Sequence, residues 1–98
     1  MQTIRTLEDV RQQREQIMAL ARQHRARQVS VFGSLVRGEL HADSDIDFLV
    51  EFEDYKLRDH IRLTQGLQRL LDRRVEVVDR HSLRDDLRAA IFKEALSL

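Results

Sequence analysis

The 98-residue chain has no cysteine, no proline and no tryptophan, and only three glycines and five aromatic residues. Without cysteine there is no disulfide, no thiolate nucleophile and no cysteine-type zinc site. Without proline or a Gly/Ser-rich stretch nothing marks a linker, so residues 1–98 are expected to form one domain. No apolar run approaches the roughly 20 residues of a membrane span, and Met1 is followed by a polar segment instead of a signal-peptide core. The expected location is the cytoplasm.

One sign of charge is also missing in sum. Seventeen Lys and Arg balance seventeen Asp and Glu, which removes the basic field a general nucleic-acid binder needs. Along the chain, however, the charges are sorted. Residues 1–30 hold six arginines against Glu8, Asp9 and Glu15; residues 31–55 hold Arg37 alone against seven acids; residues 56–98 hold ten bases against seven acids. An acidic centre between basic flanks suits a cation site, and a solvated loop gives the same count.

Hydrophobic spacing predicts a helix from Thr6, whose distance to Asp9 is that of a capping box, to about Arg25. Strands are predicted at Val29–Phe32, Asp45–Phe52 and Val75–Val78, and a second helix between Leu57 and Leu71, with Gly66 a weak point inside it. Ser82, three residues before Asp85, is expected to cap a last helix running through Leu83 to Leu96. The fold class is therefore α/β (α+β): a small mixed sheet covered by helices.

The chemically informative stretch runs from Val31 to Asp47. Gly33 and Ser34 stand where a strand turns, a place for unpaired N–H donors that can receive a phosphate, although an ordinary turn has the same composition. Arg37 is placed either to grip the same anion or to form an ion pair with Glu39 or another acid of the loop. Asp45 and Asp47 are two residues apart, so on a strand their carboxylates leave one face, within reach of a shared Mg²⁺. Glu76 sits among valines, where a charge is expensive unless partnered; Asp79 is the alternative third acid. His24, His41, His60 and His81 have no metal-site spacing, and the lone Tyr55 suits a loop anchor.

Gly33-Ser34, ten residues, then Asp45-Ile46-Asp47 resembles the Gly-Ser-x10-Asp-x-Asp signature of the DNA polymerase beta-like nucleotidyltransferases. Arg37-Gly38 and Asp43-Ser44 are similar to its minimal nucleotidyltransferase branch. The resemblance implies a palm-like sheet, ATP with its triphosphate at Gly33, Ser34 and Arg37, and two Mg²⁺ ions held by Asp45, Asp47 and a third carboxylate. That third acid, an aspartate in most of the family, falls on Glu76. Misplacing a catalytic group by about 1 Å can cost on the order of 100-fold in rate. The implied reaction transfers AMP from ATP to a hydroxyl with loss of pyrophosphate, the three acids being catalytic. Larger relatives add acceptor-binding domains; here the acceptor is expected on a partner chain. Minimal nucleotidyltransferases resembling this one act as antitoxins that add AMP to a tyrosine of a HEPN-domain toxin. The alternatives are an antitoxin that neutralises by binding alone and, further off, an enzyme modifying a small molecule such as an aminoglycoside. Pairing of two copies into a homodimer through apolar helix faces also stays open.

Overall fold

The computed structural model describes residues 3–98, so the first two residues of the expected domain lie outside it. Thr6 caps α1 (Leu7–Arg11) with a complete capping box, its Oγ1 accepting from Asp9 N–H at 3.3 Å while Asp9 Oδ2 accepts from Thr6 N–H at 3.1 Å. The single helix expected from Thr6 to Arg25 is in fact two. Gln13 N–H reaches back three residues to Val10 O instead of four, which tightens one turn before α2 (Arg14–Gln23) resumes. Gln12 and Gln13 present no apolar group to hold that turn against the core. Arg25, at φ +65°, then reverses the chain.

β1 (Ala26–Phe32) begins three residues before the apolar run that predicts it. The polar Arg27 hides the extension from the sequence, because its partner is Glu51 on the neighbouring strand, 3.0 Å from its Nε. A four-residue helix α3 (Ser34–Arg37) leads to β2 (Ile46–Phe52), then α4 (Leu57–Leu71), β3 (Val75–Asp79), a 3₁₀ turn over Arg80–Ser82, α5 (Asp85–Glu94) and β4 (Leu96–Ser97). Ser82 does not cap the last helix: its hydroxyl donates to Asp79 O within the 3₁₀ turn, and α5 begins after Arg84. The helix also stops short of Leu96, because Leu96 and Ser97 pair with Val31 and Ser30 along the free edge of β1.

The sheet order is β3-β2-β1-β4, with β1 antiparallel to β2 and β4, and β2 parallel to β3. This is the mixed sheet the sequence implies. Strand alternation sends Val31, Ile46, Phe48, Val50 and Val77 to one face, where they meet Ile17 and Ala21 of α2 and Leu63, Leu67 and Leu71 of α4 in one buried cluster. The opposite face carries Asp47, Leu49 and Glu51. No helix among the described residues is long and apolar enough to cross a membrane.

Candidate functional site

On the open face Phe32, Asp47 and Glu76 form one row across three strands, since Asp47 is the register partner of both others. Asp47 is half-buried and Glu76 exposed. The cost expected for a charge among valines therefore does not arise at Glu76: its side chain leaves the sheet on the solvent side, and Val75 and Val77 point into the core. The alternative acid, Asp79, is buried on the core side of β3 and caps the 3₁₀ turn by accepting from His81 N–H. It stands apart from Asp47.

Burial, then the charges of Glu76 and Asp45, push the Asp47 carboxyl up to about 6, with Arg37 pulling weakly the other way. Glu76 raises Asp47 by its hydrogen-bonding proximity as well as by its charge. Asp45 lies one residue before β2 and turns toward Arg74, whose Nε is 3.1 Å from its Oδ1. Sequence reading missed Arg74. Its neighbour Arg73 fixes the loop leading into β2, donating to the carbonyls of His41 and Ser44 and to that of Ile4.

Gly33 joins β1 to α3 at φ +78°, in the region that side chains resist. A Cβ there would collide with Asp47 Oδ2 and stand 3.2 Å from Asp47 Cγ. The glycine is thus required both by the turn and by the carboxylate packed on it. Ser34 opens α3 and Arg37 closes it, so three of the expected anion-binding residues lie within one turn beside Asp47.

The donors of Gly33 and Arg37 are engaged within the chain. Gly33 N–H donates to Glu94 Oε1, and Arg37 Nη1 reaches both Glu94 oxygens at 2.8 and 3.0 Å. Arg37 Nε takes Glu39 at 3.1 Å, and these acids hold its guanidinium above its ordinary range, Glu39 foremost. Arg37 therefore pairs with Glu39, as one of its two readings has it, while its other arm holds a carboxylate at the turn. Glu94 was invisible in the sequence, being 57 residues away on a different element.

Among the described residues no group of three Asp, Glu or His side chains is arranged to hold an ion by itself. The donors nevertheless suit Mg²⁺. Their oxygens are hard, the repulsion that raises Asp47 is what a divalent ion relieves, and Mg²⁺ takes one or two carboxylates with water and phosphate for the rest. His41, His60 and His81 are engaged elsewhere, with Ser44, with Tyr55 and Val77 O, and with Glu51. Tyr55 stacks edge-on against Phe52 at 5.4 Å between centroids, anchoring the loop.

A family model described as polymerase beta, nucleotidyltransferase matches residues 15–98. The chain is 41% identical over 71 residues to the protein adenylyltransferase MntA of Thermococcus cleftensis, a match over 71% of this chain and 72% of that protein. A solved structure assigned as a minimal nucleotidyltransferase superposes with a TM-score of 0.84 at 44% identity, covering 95% of this chain and 96% of that one. A toxin–antitoxin structure with AMP-PNP is similar at a TM-score of 0.74 and 28% identity, over 85% of this chain and 69% of its own.

Proposed function

Because this chain belongs to the polymerase beta nucleotidyltransferase family, we propose that it is a protein adenylyltransferase antitoxin, moving AMP from ATP to a tyrosine hydroxyl of a HEPN-domain toxin. The observation that carries the reading is the packing of the Asp47 carboxylate directly on Gly33, which sets an acidic centre against an anion seat. The adenylyltransferase relative and the AMP-PNP in the related toxin–antitoxin structure support ATP as donor and a toxin as partner.

In this reading Gly33 N–H, the Ser34 hydroxyl and Arg37 grip the triphosphate, so the α-phosphorus lies toward Asp47. Asp45, Asp47 and Glu76 would hold Mg²⁺. Bound there, Mg²⁺ would supply neutralisation of the charge developing on the phosphoryl and leaving oxygens. The tyrosine oxygen forms a bond to the α-phosphorus as the bond to the pyrophosphate oxygen breaks. Glu76, exposed beside Asp47, is the alternative acceptor of the hydroxyl proton where it does not hold an ion, and pyrophosphate departs with the electron pair. Arg74, 3.1 Å from Asp45 through its Nε, neutralises that carboxylate, a charge that a bound Mg²⁺ would share.

The decisive experiment is intact-mass spectrometry of the partner toxin after incubation with this protein, ATP and Mg²⁺. Mass gained in units of AMP, absent with D45A/D47A although that variant still binds the toxin, is the expected result. Neutralisation retained by D45A/D47A would overturn it in favour of an antitoxin that works by contact.

A further inference from the structure

The Gly33 N–H and the Arg37 guanidinium already hold a carboxylate, that of Glu94, the last residue of α5. Its two oxygens take the peptide donor and one arm of the arginine. Those are the contacts through which one phosphate group would be received at this turn. Two anions cannot share one peptide N–H and one guanidinium arm without the repulsion that separates like charges.

The element bearing Glu94 is lightly held. None of the ten residues of α5 is buried, and Leu87 on it is half exposed. Extended residues flank it at Leu83 and at Ala95, so neither neighbouring element continues its helix. Beyond it, Leu98 N–H donates to Val29 O and Leu98 O accepts from Arg14 Nε at 2.7 Å, contacts to β1 and α2 that do not involve α5. Glu94 can therefore leave the seat without disturbing the sheet.

We infer that Glu94 is a resident competitor for the phosphate seat, so that nucleotide binds only in the fraction of molecules from which its carboxylate has moved away. This rests on the reading of Gly33, Ser34 and Arg37 as the triphosphate site. An occupant of this kind raises the apparent Kd by the inverse of the fraction of open molecules. A partner that drew α5 aside would raise nucleotide affinity by the same factor.

The test is titration of the full chain with AMP-PNP and Mg²⁺ by calorimetry, for wild type, E94Q, R37A and the double variant. E94Q keeps size and loses charge, and its Kd is expected to fall by about threefold or more. R37A should weaken binding, and by a larger factor in the E94Q background, where the arginine is no longer shared. E94A, with thermal melts to confirm folding, repeats the measurement should E94Q fold poorly. Unchanged or weaker binding by E94Q and E94A, with R37A weakening both backgrounds equally, would overturn the competition while leaving the triphosphate site intact. No effect of R37A in either background, or no nucleotide binding at all, would sink the triphosphate reading and the competition with it.

Discussion

Gly33 and Asp47 are the two residues at which local chemistry is most tightly specified. G33A must place a Cβ against Asp47 Oδ2 at a φ of +78°, so we expect a loss of ~2 kcal/mol or more in thermal unfolding, together with loss of AMP transfer. Asp47 gives the opposite sign. Its carboxyl titrates at about 6 in the folded protein and near ~3.9 in an unfolded chain, so the folded state binds the proton more tightly. Stability from this group is therefore present at low pH and lost as pH rises between roughly 4 and 6, staying lost above. D47N removes the charge and keeps the shape. Urea unfolding at pH 7.5 should find it more stable than wild type by ~1 kcal/mol after discounting for partial exposure, with the difference gone at pH 4, while transfer falls at least ~100-fold. Added Mg²⁺ should stabilise wild type at pH 7.5 and leave D47N unmoved. A site residue that costs the fold stability is being kept for something else.

Among the elements, α4 shows how packing offsets a propensity argument. Gly66 reads as a weak point in a helix, where alanine would add about 1 kcal/mol. In the fold it faces Leu20 of α2: a Cβ at Gly66 would meet Leu20 Cδ2 at 2.8 Å and its Cγ at 3.3 Å. G66A is accordingly expected to gain less than that ~1 kcal/mol in urea unfolding, because the Leu20 side chain must shift to admit the Cβ. The contrast between α4 and α5 is equally physical. α4 buries Leu63, Leu67 and Leu71 at four-residue spacing, whereas α5 buries nothing. Amide exchange should be markedly faster through Asp85–Glu94 than through Leu63–Leu71.

Across the whole molecule the sorted charges fold back on one another. Acids of the central stretch meet bases from both flanks: Glu51 takes Arg27 and His81, Asp54 takes Arg25 and Lys56, and Asp45 takes Arg74. The acidic centre is thus largely compensated at its rim and left uncompensated at Asp47, in its interior. Beneath it, Phe48 is fully buried on the middle strand between Val31 and Val77. F48A should cost about 3–5 kcal/mol in urea unfolding. For a domain with a total near ~5–15 kcal/mol that is a large share of the fold.

Periodicity alone determined α4, the cores of β1, β2 and β3, and the capping box at Thr6, because each rests on contacts within one segment or on a face that must be apolar. The Gly-Ser and Asp-x-Asp pattern pointed to the proposed chemistry for a related reason, since a peptide N–H at a turn and two carboxylates two residues apart are short-range features. What the tertiary structure decided involves partners distant in sequence. The two-residue β4 exists because the edge of β1 has groups to satisfy, and Arg27 is a strand residue because Glu51 lies opposite. Gly66 is a contact because Leu20 arrives there. Glu76 meets Asp47 through strand register, and Arg74 and Glu94 enter the site through ion pairs whose members are brought together only when the sheet closes. No spacing rule reaches from residue 37 to residue 94; only packing sets that distance.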